Sequence, residues 1–163
     1  MKRALVVLWM AAVLAPARAA VAQEAVFLVR HAERADSSAD SPLSPAGRRR
    51  AARLADLLKD AGITAIYTTD FRRTIQTAAP LARASRVEAV ALPAADRDAL
   101  LAKIRSAGAH DRLLVVGHSN TVPDILRALG VETPVTIGEA EYDNLFVVIP
   151  ERGEAPHLLR LRY

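Results

Sequence analysis

A chain of 163 residues with no cysteine, 22 Lys+Arg, 18 Asp+Glu and a net charge of +4 is long enough to bury one core of adequate size. The missing thiol excludes disulfides, a lipoprotein anchor, a thiol nucleophile and cysteine-based metal sites. The charge excess does not argue for a nucleic-acid partner: Lys2, Arg3 and Arg18 fall in a removable leader and every acid follows Gln23, so 19 cations face 18 anions and the remaining charge is +1.

That leader is the first predicted element. Lys2 and Arg3 give a positive start, Ala4 to Ala15 is nearly unbroken apolar sequence, and Ala17-Arg18-Ala19 and Ala20-Val21-Ala22 both suit cleavage. The order is that of a secretory signal peptide over 1–22. The apolar run is shorter than the ~20 residues a spanning helix needs, so the expectation is export to the periplasm or medium with no stable membrane association after cleavage. Residues 23–163 then read as a single domain, without repeats or low-complexity segments.

Ala25 to Val29 reads as a buried strand that ends in Arg30-His31. Asp36 to Pro42 is a polar loop. Ser44-Pro45 forms an N-cap and first helical residue, followed by Ala51, Leu54, Leu58 and Ala61 at helical spacing and a stop at Gly62. A strand over 63–68 leads to a helix over 70–84, interrupted or re-entered at Pro80. A short strand at 87–92, a helix at 96–107, a strand at 113–117 and a helix at 122–129 complete the alternation. The last two strands, 145–149 and 158–161, read as edge or antiparallel. This β–α alternation predicts an α/β fold, a three-layer α/β/α sandwich with a mostly parallel central sheet.

The chemistry lies at the strand ends. Ligands bind at the carboxyl ends of the strands in such sheets, and two strands here end in histidine, His31 and His118. The segment Thr69-Asp70-Phe71-Arg72-Arg73-Thr74 supplies more arginine. Arginine's fixed charge and planar fork suit phosphate. A neutral imidazole can attack phosphorus, and nearby Arg30 and Arg73 would disfavour protonation of His31. Together these residues make a phosphoryl-transfer site needing no metal and no cofactor. Metal binding by the two histidines and carboxylates is the competing reading, but no H-x-x-x-H or similar ligand spacing occurs. His110 and His157 read as surface residues, Glu33 and Arg34 as shaping the rim of the site or, by preference, as an ion pair, and Arg48 to Arg50 as a solvated helix face in preference to a polyanion patch.

Leu28-Val29-Arg30-His31-Ala32-Glu33 resembles the signature of the histidine phosphatase superfamily, whose most familiar members are the phosphoglycerate mutases. Thr69 to Ala78 resembles its second block, Val115 to Asn120 its third, and Leu43-Ser44-Pro45-Ala46-Gly47 its Leu-Thr-x-x-Gly helix start. Carried over by position, the resemblance implies His31 as a nucleophile that becomes phosphohistidine, with Arg30, Arg73 and His118 holding the phosphate. Thr77 and Asn120 are softer candidates, equally readable as helix interior and N-cap.

The general acid is not legible. The chain lacks the acidic residue that mutases carry soon after the second block, and Ser119 rather than aspartate follows His118. Asp96 and Asp98 open a helix and are candidates, although N-capping explains Asp96 equally well. The leading expectation is a phosphatase acting on a small or surface-displayed phosphate ester. A phosphohistidine-specific phosphatase and a non-catalytic phosphate-binding protein that retains the pocket are the alternatives. Loops 36–43 and 85–110 are expected to set the substrate.

Overall fold

In the computed structural model, residues 23–151 and 153–163 are described; the expected leader over 1–22 lies outside them. One six-stranded sheet organises these residues, built from β1 (Ala25–Arg30), β2 (Ala65–Thr69), β3 (Ala89–Leu92), β4 (Arg112–Gly117), β5 (Asn144–Ile149) and β6 (His157–Arg162) in the order β3-β2-β4-β1-β5-β6. The first four in that order are parallel, and β5 and β6 add an antiparallel edge. β1 and β4 read as continuous apolar runs because both of their faces are covered.

Successive residues of a strand point to opposite faces, and two cores result. Val29, Ile66, Leu114, Val116, Leu145 and Val147 pack against α1 (Pro45–Leu58) and α2 (Arg72–Ser85). Val26, Leu28, Leu113, Val115, Phe146 and Val148 pack against α3 (Arg97–Arg105) and α4 (Thr121–Ala128). The three-layer α/β/α arrangement is therefore as expected. Each fully buried Leu, Ile or Phe stabilises by about 1.5–3 kcal/mol.

Local signals act where they were read. Ser44 caps α1, its hydroxyl accepting from the Gly47 amide at 3.0 Å. Pro80, by contrast, does not interrupt α2, which runs unbroken from Arg72 to Ser85. Proline costs an interior helix one hydrogen bond; burial of Thr74, Thr77, Ala78 and Leu81 along one face holds the helix in place regardless. Gly47 is required by packing: a Cβ there would run into the backbone carbonyl of Glu33, so α1 lies directly on the segment that follows β1.

The strand order also fixes where a ligand can bind. From β1 the chain passes through α1 on one face, and from β4 it passes through α4 on the other. The crevice between these adjacent strands is the switch point of the sheet. Arg30 pairs with Gly117, and the amide of His31 donates to the Gly117 carbonyl at 2.9 Å.

Candidate active site

The register that pairs Arg30 with Gly117 places the next residues, His31 and His118, side by side. Their ring centroids are 5.3 Å apart in an edge-on arrangement, and both are buried. They line a cavity of about 510 Å³ with Arg30, Arg34, Arg73 and Tyr142 among its walls. Three arginines thus line it, with Glu139 the one acidic residue among its walls. Of the expected site residues, His31, His118, Arg30, Arg73 and Asn120 are brought together here.

The two imidazoles hold opposite tautomers. His31 Nδ1 lies 2.8 Å from the Ala32 carbonyl, which can only accept, so Nδ1 carries the proton and the lone pair is on Nε2. For His118, Arg73 lies 3.5 Å from Nδ1 and can only donate, so that nitrogen accepts. His118 Nε2 then donates to Thr69 Oγ1 at 3.1 Å. The Thr69 hydroxyl in turn donates to Thr74 Oγ1 at 2.8 Å, because the single Thr74 proton faces the carbonyls of Thr69 and Phe71.

Both rings are neutral at ordinary pH. Burial depresses His31 to about 3, with the Ala32 hydrogen bond opposing and His118, Arg73 and Arg30 adding lesser repulsion. His118 falls to about 4, again through burial first and then Arg73 and Arg30, with Asp70 opposing. The arginines named in the sequence reading therefore act in the expected direction, but desolvation is the larger cause.

The two phosphate-binding candidates are anchored through backbone carbonyls. Arg30 Nη1 donates to the carbonyls of Gly138, Glu139 and Glu141 at 2.9, 2.8 and 3.3 Å, and its guanidinium sits 4.2 Å over the Tyr142 ring. Arg73 Nη1 donates to the Ala39 carbonyl at 2.8 Å, and its guanidinium lies 4.1 Å over Phe71. Each arginine therefore ties a loop to the site.

Several expectations are corrected by these positions. Asp96 and Asp98 are not among the cavity walls; Asp96 caps α3, accepting from the Ala99 amide at 2.9 Å. Thr77 also lies outside, its hydroxyl accepting from the Ala32 amide at 2.9 Å and so bracing the turn after His31. Glu33 does not pair with Arg34. It takes Arg50 through three contacts of 2.8–3.1 Å, which also removes Arg50 from the expected solvated face, and Arg34 is left on the cavity wall. Of loops 36–43 and 85–110, only Ala94 reaches the cavity. His110 and His157 are exposed, as expected.

Thr69, Glu139 and Tyr142 were missed. Thr69 closes β2 beside the second block, a position from which its role could have been suspected. Segment 138–142 has no periodicity and reaches the site only because Arg30 gathers its carbonyls, so nothing in the sequence marks it. Among the described residues no group of three or more His, Asp or Glu could hold a metal ion, and no helix is long and apolar enough to cross a membrane.

Residues 26–96 match the family described as the histidine phosphatase superfamily, branch 1. Over that stretch, which is under half of the chain, the protein is similar to the histidine phosphatase superfamily. Over 75 residues the chain is 41% identical to the protein named "Probable phosphoglycerate mutase GpmB" of Proteus mirabilis, and 40% identical to its namesake in Yersinia enterocolitica. The matched stretch is 42% of this chain and 35% of either relative, so about a third of their length is spanned. In fold it is similar to the Agrobacterium tumefaciens protein assigned as phosphohistidine phosphatase SixA, with a TM-score of 0.68, 23% identity, and 86% and 99% of the two chains covered. It is similar also to mycobacterial glucosyl-3-phosphoglycerate phosphatase, with a TM-score of 0.67, 14% identity, and 86% and 98% covered.

Proposed function

We propose that this protein is a metal-independent phosphatase that hydrolyses a phosphomonoester through a phosphohistidine on His31. Superfamily members are phosphatases or mutases. The observation that carries the reading is the pair of complementary tautomers: His31 offers a lone pair at Nε2 while its Nδ1 proton is held by Ala32.

In this reading His31 Nε2 attacks phosphorus and the bond to the ester oxygen breaks. Arg30 and Arg73 carry the charge on the equatorial oxygens, where fixed positive charge is most effective. An arriving phosphate dianion favours protonation of His118 at Nδ1, which then donates to the transferred group. Water next cleaves the phosphorus–nitrogen bond, releasing inorganic phosphate and restoring neutral His31. The leaving oxygen takes its proton from Glu139 in its carboxylic acid form or from water; in the first case the resulting Glu139 carboxylate regains a proton from the water that cleaves the phosphorus–nitrogen bond.

A second reading, a phosphohistidine-specific phosphatase, is supported by the compactness of the chain: its fold covers 99% of the SixA-like neighbour. An imidazole leaving group also needs less acid assistance. Export, inferred from the leader, weighs against it, since phosphorelays operate inside the cell.

Hydrolysis of an aryl phosphate in the presence of a chelator, with the native chain and His31→Ala side by side, is the test. The expected result is activity in the native protein, a loss of at least about a thousandfold in the variant, and an acid-labile phosphoenzyme in the native protein alone. Activity that needs added metal, or that survives in the variant, would sink the proposal.

A further inference from the structure

Arg48 opens the run of three arginines that the phosphate chemistry leaves aside, and it walls a second cavity. This groove of about 410 Å³ lies between α1 and α2, with Arg48 and Arg83 exposed at its walls over a floor of small side chains, Ala51, Ala79 and Pro80. β1 and β2 run in the same direction, so the helices that follow them descend side by side. Leu43 ties their upper ends: Arg48 Nη1 donates to its carbonyl at 2.8 Å, and its amide donates to Gln76 Oε1 at 2.7 Å. Arg83 lies about two turns beyond Gln76 on α2, which sets the two arginines roughly 10 Å apart along the groove.

The groove is positive throughout. Neither Arg48 nor Arg83 has an ion pair among the described residues. α2 contains no acid, and none is among the walls. Of the acids nearby in the chain, Glu33 holds Arg50, Asp40 accepts from the Arg72 amide at 2.8 Å, and Asp56 of α1 is not part of the lining.

The walls also offer partners for a peptide backbone. Pro80 has no N–H, so the Gln76 carbonyl lacks the donor that a helix ordinarily supplies. The NH2 end of the Gln76 amide has no hydrogen bond among the described residues, its oxygen being spent on Leu43. A helical ligand has already paired its own backbone groups, whereas a polyproline II segment has not. Such a segment rises ~3.1 Å per residue with three residues per turn, so acids at i and i+3 project from one side about 9 Å apart. That spacing suits Arg48 and Arg83. A flat anionic surface would instead meet Arg49, Arg53 and Arg86, which are exposed but outside the walls.

We infer that the α1–α2 groove docks an extended acidic segment of a partner protein, whose carboxylates at i and i+3 pair with Arg48 and Arg83. The inference does not depend on the chemistry at His31.

The test is an amide NMR titration of the protein with two peptides of one composition, acetyl-Glu-Pro-Pro-Glu-amide and acetyl-Pro-Glu-Glu-Pro-amide. The expected result is saturable shifts confined to the amides around Arg48, Ala51, Gln76 and Ala79. The spaced peptide should bind about fivefold more tightly, the scale of one exposed ion pair, and Arg83→Met should erase that preference. Equal affinities, shifts centred on His31 and His118, or a preference that survives in Arg83→Met overturn the inference, as does the absence of binding at millimolar peptide. Phosphatidylglycerol vesicles that capture the protein, while neither peptide shifts the groove amides, would assign this face to a lipid surface instead.

Discussion

His118 Nε2 donates to the hydroxyl of Thr69 at 3.1 Å, and this one contact determines which nitrogen of the second imidazole faces Arg73. The hydroxyl relay from Thr69 to Thr74 ends on backbone carbonyls, so its direction is fixed by groups that cannot titrate. Thr69 thus positions His118 without itself lining the cavity.

Thr69→Val removes that acceptor and leaves a buried N–H unsatisfied, a cost of about 1–3 kcal/mol. Hydrolysis is expected to fall roughly tenfold or more, with the pH profile altered because His118 Nε2 loses its hydrogen-bond acceptor. Thr69→Ser restores the hydroxyl and should recover most of the activity. Rate–pH curves for the three proteins decide the matter; a serine variant as impaired as the valine one counts against a positioning role.

Acidification should destabilise the fold through the same two rings. Free imidazole in the unfolded chain titrates near 6.5, whereas folded His31 and His118 titrate at about 3 and about 4. Between those limits the unfolded chain binds more protons, so stability falls as pH falls from above 6.5. For the pair the loss between pH 7.5 and 4.5 is on the order of 2–5 kcal/mol. Urea melts at the two pH values should show a smaller loss in His118→Asn than in the native protein; identical losses would mean that His118 titrates normally in the fold.

Leaving-group dependence tests the acid. If Glu139 supplies the proton, Glu139→Gln should depress hydrolysis of an alkyl phosphate by about 10²-fold while an aryl phosphate, with its better leaving group, loses far less. Steady-state kinetics on both esters is the measurement. Equal effects on the two would assign the proton to water and leave Glu139 to its backbone contact with Arg30.

Gly47→Ala is expected to cost several kcal/mol, the scale of a steric clash in a packed region, because its Cβ meets the Glu33 backbone. Since that backbone follows His31 by two residues, the surviving folded fraction should also bind phosphate more weakly. Thermal melts with and without phosphate separate the two effects.

What the sequence revealed were features that are local or periodic. The strand ends at Arg30 and Gly117, the Ser44 cap and the apolar rows of each helix are written in neighbouring residues, and the fold followed from them. Both histidines could be read from the chain because each directly follows a strand. Contacts spanning long separations stayed hidden. Glu33 and Arg34 are adjacent, and pairing them was the local answer, yet Glu33 meets Arg50 across the α1 interface. Asp96 looked equally like an acid and a cap, and only the helix it starts decided for the cap. The Gly138–Glu141 segment joins the site through its carbonyls, groups that every residue possesses and no sequence can distinguish.

The pairing of Arg30 with Gly117 joins segments separated by β2, β3 and the helices between them. Contacts of such separation close late and slowly, and the two imidazoles meet only once this one has closed. On the proposed phosphate site, recovery of phosphate affinity during refolding acts as a clock for this non-local step, running behind any signal from helix formation. If phosphate occupies the proposed site, its presence during folding should favour the finished sheet alone and, by mass action, draw the chain toward it.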